Sequence, residues 1–598
     1  MESKVLKKRE EIQEQDKWSI NEIYSSDEVW EKEYKELQEE APKLKEFEGK
    51  LGDGKTLIRY FEVNEKVSRK AEKIYVYAHL RCDEDTSNTK YQAMMNKIDA
   101  YMAEYATYTA YVVPEILSLP DGTIEKQMEE LKELEPYKFL LENILKEKPH
   151  VLDKKEEELL AAASDCLDAP SSIHNIMTNA DMKFGNIKDE DGEEVELTEG
   201  NYSSFIKSKN REVRKEAFKG LFKEYKSFEN TLATTLSSSI KVFNFGARVR
   251  NYNNALEASL KPNDIPLEVY TNAIKTIDDN LSSLHRYVGL KKKLLGLDEM
   301  HMYDLYVPVI EIPKERVEFD DAVKMAVEGL QPLGEEYLDI FQEGINGGWI
   351  DKYINKGKRG GAYSWGGYDT KPYVLLNYNY ELNDVSTLVH EMGHSIHSYY
   401  SRKEQSYYYA GYTLFCAEVA STTNEALLIH HLINKETDKK KKLYLINQEL
   451  EQIRTTVFRQ LMFAEFELYT HESFEKGIPL TAKDYNAKWH ELNVKYFGPE
   501  MVVDSEIDVE WSRIPHFYSD FYVYQYATGY AAASAFAKSI LDKQPNAVEK
   551  YVGFLKSGGS DYPIEILKKA GVDMTTSKPL EATIDRFNEL LDMLEKEI

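Results

Sequence analysis

Amphipathic helical periodicity runs through most of this 598-residue chain and limits the folds open to it. Apolar residues recur at three- and four-residue spacing in stretches rich in Glu, Lys, Leu and Ala, which is the pattern of helices with one buried face. No repeat of fixed period is present, and frequent breaks argue against one long coiled coil. The sequence therefore predicts a packed, mainly α-helical protein, with helices at 28–50, 57–85, 90–118, 122–134, 153–168 and 208–247.

Two segments depart from this periodicity. Between 183 and 198, strand-like runs flank the turn-prone sequence Asp189–Gly192, which predicts a β-hairpin. Between 356 and 379 the chain is glycine-rich and contains strand-like runs at 361–365 and 372–378.

The weakly marked linkers divide the chain into an N-terminal helical region (1–115), a helical region with the hairpin (116–204) and a catalytic region (205–598). A helix of about 384–401 follows the glycine-rich segment, and Asn383 or Asp384 can cap its N-terminus.

Charge and cysteine content exclude several classes of protein. A net charge of −28 argues against nucleic-acid binding and against docking on anionic membranes, since both require a basic face. Cys82, Cys166 and Cys416 are too widely spaced for a disulfide framework or a cysteine zinc site. The charged N-terminus does not resemble a signal peptide, and no stretch approaches ~20 apolar residues. We therefore expect a cytoplasmic location.

The motif His390-Glu391-Met392-Gly393-His394 predicts a metal site. Residues four apart lie one turn apart on the same helix face, so His390 and His394 can converge on one Zn²⁺ ion. Glu391 is offset by about 100° around the helix, where it can reach a zinc-bound water and act as general base. Two surface histidines on a solvated helix are the alternative.

A second helix-compatible segment, running to about 434, supplies a third ligand. Glu418 completes a His₂Glu site with an open fourth position for water, as catalytic zinc sites require. Glu425 lies seven residues further on, on the same face. It either accepts the free N–H of a ligand imidazole or is an exposed helix carboxylate.

Two neighbouring residues are not expected to bind the metal. His397 lies ~10 Å beyond His390 along the helix axis, so both cannot bind one ion; it is predicted to be a hydrogen-bonding neighbour. Cys416, a lone cysteine, is predicted to lie in the core.

The aromatic segment 516–530 is a candidate for oxyanion stabilisation. If it is helical, Tyr522, Tyr526 and Tyr530 form one face at four-residue spacing, and His516 stands at its start. Their hydroxyl and imidazole groups can donate to an oxyanion, but tyrosines at this spacing also form ordinary protein cores.

Several motifs together resemble the thimet-oligopeptidase-like zinc metallopeptidases, and most of all the oligoendopeptidase F branch. The resemblance rests on LVHEMGHSIHSYYS, FCAEVASTTNEALL and IPHFYSDFYVYQYATGYAAA, with YNNALEASLKPNDIP, GGAYSWGGYDTKPYVLLNYN and FLKSGGSDYPIEILKKAGVDM in support. It spans nearly the whole chain and is far more specific than the five-residue motif alone.

The resemblance implies a two-lobed helical metallopeptidase with a deep substrate channel and a small β-sheet beside the motif helix. It implies one Zn²⁺ per chain, held by His390, His394 and Glu418, with Glu391 as general base. His516, Tyr522 and Tyr526 match the family's oxyanion residues, with Tyr530 a weaker match. It also implies that strand 361–365 pairs with the peptide backbone.

The function expected from these features is zinc endopeptidase cleavage of short, unfolded oligopeptides. Two alternatives remain: a helical binding protein with a structural zinc or none, and a zinc carboxypeptidase. The first predicts a closed four-ligand site or no metal, and the second needs a basic group for the substrate carboxylate. The sequence does not reveal such a group.

Overall fold

A computed structural model describes residues 6–310, 312 and 315–597. The predicted mainly helical fold is confirmed. The chain forms two compact units, each assembled from three separate stretches. The first unit comprises Met1–Lys148, Lys314–His431 and Phe536–Gly571, and the second comprises Pro149–Pro313, Leu432–Ala535 and Val572–Ile598. The predicted divisions near 115 and 204 stay predictions.

The first unit packs its helices around a core rich in aromatic side chains, among them Trp30, Tyr34 and Tyr77. Its helices are Asp27–Glu40, Gly54–Glu84, Thr89–Thr109, Val112–Ser118, Thr123–Glu130, Lys138–Lys146, Phe319–Leu330, Glu335–Asn346, Leu382–Glu404, Leu414–Lys435, Ala547–Ser557 and Pro563–Lys569.

The second unit is also helical, and the helix Tyr524–Leu541 begins in it and ends in the first unit. Its other helices are Lys154–Leu167, Ala169–Ile176, Glu199–Phe205, Arg211–Ser227, Glu229–Val249, Ala255–Leu260, Leu267–Asp278, Leu281–Leu294, Lys439–Ile453, Arg459–Glu475, Ala482–Phe497 and Lys578–Glu597. The second unit also contains 3₁₀ segments at Ser505–Arg513 and Pro515–Tyr518 and a π-helical segment at Arg454–Phe458.

Some predicted helices are interrupted in the structure. The stretch 208–247 is two helices that break at Phe228, whose φ of −109° and ψ of 9° lie outside the helical region. The stretch 90–118 likewise breaks after Thr109. Periodicity did not reveal these breaks, because the apolar residues continue at helical spacing on both sides.

Three small sheets are present in the described part of the chain. The predicted hairpin is confirmed, with Asn186–Lys188 antiparallel to Glu194–Glu196. The glycine-rich segment forms strands Tyr363–Trp365 and Tyr373–Tyr378, which pair antiparallel. A strand not predicted from the sequence, Ile350–Tyr353, pairs parallel to the other side of Tyr373–Tyr378. A third sheet pairs Met300–His301 with Met501–Val502 in parallel.

The predicted metal ligands lie on two helices in the first unit, the second of which ends with residues 432–435 in the second unit. We call Leu382–Glu404 the histidine helix and Leu414–Lys435 the glutamate helix. Neither predicted cap, Asn383 or Asp384, precedes the histidine helix, because the helix begins at Leu382. Asp384 is the third helical residue, and its Oδ2 accepts the backbone N–H of Glu381 at 2.9 Å. The sheet lies beside the histidine helix as expected, since Ser364 Oγ is 2.8 Å from Ser395 Oγ.

Among the described residues, no helix combines the length and the apolar character needed to span a membrane.

Candidate metal centre

The histidine helix brings two imidazoles together on one face. His390 and His394 are one turn apart, and their Nε2 atoms are 3.2 Å from each other. Both side chains are largely shielded, with 27% and 17% of their surfaces exposed. Each Nε2 offers a lone pair to a cation once it carries no hydrogen.

Close packing of the glutamate helix against the histidine helix brings a carboxylate to this pair. A Cβ atom at Gly393 would lie 2.7 Å from Ser421 Cα, so only glycine permits this approach. The buried Asn424 side chain joins the same two helices, because its Nδ2 donates to the Val389 carbonyl at 3.0 Å. Its Oδ1 in turn accepts from the Tyr337 hydroxyl at 2.8 Å.

Glu418 is the carboxylate positioned by this packing. Its Oε2 lies 3.5 Å from His390 Nε2 and 3.4 Å from His394 Nε2. It also accepts a hydrogen bond from Ser421 Oγ at 3.0 Å. Hydrogen bonding by His394 is the main cause that lowers the pKa of Glu418 to about 2, so this carboxylate is charged at neutral pH.

These three donor atoms have the geometry of a tetrahedral metal site. A tetrahedron with ligands ~2.1 Å from its centre has edges of ~3.4 Å. The observed separations of 3.2, 3.4 and 3.5 Å match those edges. The residues present therefore fit a zinc ion, and a three-ligand set leaves the fourth position open.

A second carboxylate supports the His390 ring from behind. Glu425 Oε2 lies 3.3 Å from His390 Nδ1, and Glu425 Oε1 accepts from Ser386 Oγ at 3.0 Å. With 18% of its side chain exposed, Glu425 is not the exposed carboxylate of the alternative interpretation. Burial lowers the pKa of His390, but Glu425, with Glu391 and Glu418, raises it to about 9. The centre therefore favours a cation, and metal binding there releases a proton.

Glu391 lies beside this group but is not part of it. Its residue surface is 7% exposed, and burial raises the pKa of its carboxyl against the opposing effect of His390 and His394. A carboxylate whose pKa is raised by burial is a better proton acceptor than one in water.

His397 is excluded from the metal group, as predicted, but its environment is not polar. Its ring stacks on Tyr412 with centroids 3.8 Å apart, and burial lowers its pKa to about 3. Within the described structure its Nδ1 has no hydrogen-bonding partner, so the expected hydrogen bond at that atom is not found. Cys416 is buried, as predicted.

The aromatic segment 516–530 gathers three of the predicted residues in the second unit. His516 lies on the 3₁₀ segment Pro515–Tyr518, and its Nε2 is 3.5 Å from the Tyr526 hydroxyl oxygen. The Tyr522 ring stacks parallel to that of His516 and edge-on to that of Tyr526. The condition that the segment is helical holds only in part: the helix begins at Tyr524, so Tyr522 precedes it and does not share a helical face with Tyr526.

Tyr530 differs from this group because it is buried, with 7% exposure. It therefore belongs to the core, as the ordinary interpretation of a tyrosine stripe predicts.

Burial lowers the pKa of His516, so its imidazole is neutral near pH 7 and one ring nitrogen carries a hydrogen.

Sequence reasoning missed the residues that hold the centre together. Ser386 and Asn424 make the hydrogen bonds described above, and Gly393 allows the helices to approach. Ser386 lies four residues before His390, and Asn424 directly precedes Glu425. Helical spacing could therefore have indicated Ser386, whereas Asn424 and the contact at Gly393 depend on the packing of two helices.

Comparison with known proteins places this chain in a family. The model of Peptidase family M3 matches residues 204–586, and that of Oligopeptidase F matches residues 115–184. Oligopeptidase PepF of Bacillus subtilis is 49% identical over 592 residues, covering 99% of this chain and 88% of the relative. Group B oligopeptidase PepB of Streptococcus agalactiae is 42% identical, covering 98% of each chain.

Solved structures agree with the sequence comparisons. The structure of oligoendopeptidase-F from Enterococcus faecium is 40% identical and has a TM-score of 0.73, covering 96% of this chain and 99% of that one. A putative peptidase from Chlamydophila abortus is 37% identical with a TM-score of 0.95, covering 99% and 100%. The chain belongs to peptidase family M3, a family of metallopeptidases, and its similarity to oligopeptidase F extends along its full length.

Proposed function

We propose that the protein is a zinc endopeptidase that hydrolyses internal bonds of short, unfolded oligopeptides. The observation that carries this proposal is the set of three donor atoms at tetrahedral spacing, with the buried Glu391 beside them. Family membership and the names of the relatives, oligopeptidase and oligoendopeptidase, support peptides as substrates.

His390, His394 and Glu418 are the residues that would hold the metal. A bound Zn²⁺ supplies a Lewis acid that polarises a carbonyl and acidifies water. Glu425 fixes the ring orientation of His390 through Nδ1, which leaves Nε2 to face the ion. Ser421 similarly orients the carboxylate of Glu418.

Glu391 acts as the general base in this proposal. Its carboxylate accepts a proton from the attacking water and then transfers that proton to the departing amine nitrogen. The scissile carbon gains the water oxygen, and the C–N bond breaks. Burial supports this role, because it raises the proton affinity of the Glu391 carboxylate.

Oxyanion stabilisation is assigned to His516 with Tyr522 and Tyr526. Their mutual contacts hold three hydrogen-bond donors in one cluster, and donors of this kind are worth most where charge develops in the transition state. The strand Tyr363–Trp365 lies at the edge of its sheet, so it is suited to pair with an extended peptide.

Metal analysis coupled to a peptidase assay tests the proposal. We expect one zinc per chain, loss of cleavage on chelation and recovery when zinc is returned. Glu391→Gln should retain zinc and lose turnover by ~10²–10⁴-fold. Glu404→Gln is the matched control, since it makes the same change at an exposed position of the same helix. Normal cleavage by Glu391→Gln would rule out the mechanism.

End-blocked peptides separate the alternatives. An endopeptidase cuts a short peptide that is acetylated and amidated, whereas a carboxypeptidase requires a free C-terminus. A binding protein with a structural zinc cuts neither. Cleavage confined to free C-termini would therefore overturn the endopeptidase assignment while leaving the metal site intact.

A further inference from the structure

A cavity of about 620 Å³ lies within the second unit, and the mechanism proposed above makes no use of it. Its walls include the helices Glu199–Phe205 and Lys439–Ile453, the segments Arg454–Phe458 and Ser505–Arg513, and residues of the stretch 302–310. Much of the wall is apolar or aromatic, contributed by Tyr202, Ile206, Phe218, Tyr306, Tyr444 and Ile507. Its volume is in the range of small-molecule binding sites, roughly 300–1,000 Å³.

The charges in this cavity do not balance. Among the described residues, the lining side chains include five basic groups and two carboxylates, in a protein whose net charge is −28. Two of the basic groups have their own partners: Arg513 pairs with Glu199 at 2.8 Å and Arg459 with Glu510 at 2.7 Å.

Lys291 and Arg454 share a single carboxylate. Lys291 Nζ lies 2.8 Å from Glu451 Oε1, and Arg454 Nη2 lies 2.7 Å from Glu451 Oε2. Both basic side chains are 1% exposed, so water does not compensate their charge. Two buried cations against one carboxylate leave one positive charge, which is costly unless an anion joins them.

Arg454 also has an unused donor. Its Nη1 is buried and makes no hydrogen bond to any described residue, while the Tyr306 ring lies 5.0 Å from the guanidinium carbon. An unmet buried donor is destabilising, so a site that keeps one usually has a use for it. Arg454 is also the first residue of the π-helical segment Arg454–Phe458, and π-helical turns are frequent at functional sites.

We propose that this cavity binds an organic monocarboxylate, with its charged group on Arg454 and Lys291 and its apolar part against the aromatic wall. A guanidinium group matches the geometry of a carboxylate. The fifth basic group, Lys207, is exposed to solvent, so the buried part of the lining carries a single excess positive charge, which suits a monoanion better than a phosphate dianion. A chloride ion would satisfy the charge but leave most of the apolar wall without contact. The carboxylate belongs either to a peptide C-terminus or to a free organic acid.

Calorimetry on the full-length holoprotein tests the site. We expect N-acetyl-L-phenylalaninate to bind, and its neutral amide to bind about ten-fold more weakly or not at all. Chloride and phosphate at equal ionic strength should not displace the acid. Equal binding of acid and amide, or displacement by chloride, would overturn the proposal.

Two matched tryptophan variants locate the binding. Ser203 is exposed and lines the cavity, so Ser203→Trp should obstruct its mouth and abolish the heat of binding. Ser204→Trp places the same bulk on the next exposed residue of the same helix, outside the lining, and should bind as the wild type does. Retained binding in Ser203→Trp would show that the acid binds elsewhere, for example at the metal, and would refute the site.

A third variant tests the unused donor without removing the charge that faces Glu451. Arg454→Lys keeps a cation but loses the guanidinium fork, so affinity for the acid should fall by roughly ten-fold while the fold is retained. Unchanged affinity in a folded Arg454→Lys protein would contradict the role given to Nη1.

Peptide kinetics then identify the source of the carboxylate, and only this step rests on the proposed peptidase function. If the ligand is a peptide C-terminus, Ser203→Trp raises KM for a free-acid peptide and not for the matching amide. If both KM values stay unchanged, the ligand is a free organic acid and the site stands. Because calorimetry needs no turnover, failure of the peptidase assignment would not be mistaken for failure of this site.

Discussion

Replacing Gly393 by alanine tests whether the contact between the histidine and glutamate helices sets the geometry of the metal centre. The added Cβ would lie 2.7 Å from Ser421 Cα and 2.9 Å from the Ala420 carbonyl oxygen. Ordinary contact begins near 3.4 Å, so the backbone of the glutamate helix must retreat by about 0.7 Å. Glu418 is three residues from Ser421 on that helix and moves with it.

The size of the effect follows from the tolerance of metal sites. Ligand distances in good sites stay within about 0.2 Å of their usual values, so a shift of about 0.7 Å is too large to absorb unless Glu418 rotates. We expect zinc affinity to fall by roughly 10–100-fold, comparable to the loss of an orienting partner. Overpacking costs about 1–3 kcal/mol, of which the helix preference of alanine recovers about 0.5–1 kcal/mol.

Gly553→Ala is the matched control. Gly553 is also within a helix of the first unit, but a Cβ there would meet nothing within 4 Å. We expect this variant to bind zinc normally and to gain about 0.5–1 kcal/mol in its free energy of unfolding. Chelator competition measures the affinities, and urea unfolding of the metal-free proteins measures stability. The reasoning is refuted if Gly393→Ala binds zinc as tightly as Gly553→Ala and is equally stable.

Three further predictions concern other parts of the molecule. Glu425→Gln should weaken zinc binding by roughly 10–100-fold, while the free energy of unfolding of the metal-free protein changes little. Chelator competition measures the zinc affinity, and an unchanged affinity would mean that Glu425 does not orient His390. Tyr526→Phe should lower kcat by ~10²–10³-fold with a small change in KM if its hydroxyl donates to the oxyanion, and steady-state kinetics on one blocked peptide decide the matter. Burial raises the pKa of Glu467 well above its ordinary value, so the folded state holds a proton that the unfolded state has lost, and stability falls as pH rises above ~4.5. Glu467→Gln keeps an acceptor for the Phe521 N–H and should therefore be more stable than the wild type at pH 8, with a difference that shrinks toward pH 4; a pH-independent difference in urea unfolding would contradict this.

Much of the fold could be predicted because helical periodicity reports burial directly. The helix Gly54–Glu84 was expected at 57–85, and the hairpin was expected from its turn sequence. The strand Ile350–Tyr353 was missed because it is only four residues long, which is too short for alternation to be visible. Its place in the sheet is set by pairing with Tyr373–Tyr378, a contact distant in sequence.

The positions of the metal ligands could be predicted better than those of the aromatic residues in the segment 516–530. His390 and His394 are placed by the helix alone, and Glu418 needs only a second helix nearby. The Tyr522 position depends instead on the turn that precedes Tyr524, where Phe521 adopts a φ of 58° and its N–H bonds to the buried Glu467. A positive φ at a phenylalanine is stabilised by tertiary contacts, so spacing along the sequence could not indicate it.

The division of the chain into interleaved stretches has a consequence for its synthesis. The first unit needs residues up to Gly571 to complete its contacts, so its N-terminal stretch, which ends at Lys148, waits for Phe536–Gly571. At about 5–20 residues per second, the roughly 390 residues between them take about 20–80 s to emerge from the ribosome. His390, His394 and Glu418 all lie in the middle stretch, so these donors leave the ribosome before the unit that holds them can close. Chaperones therefore have a long interval in which to meet its exposed apolar helix faces.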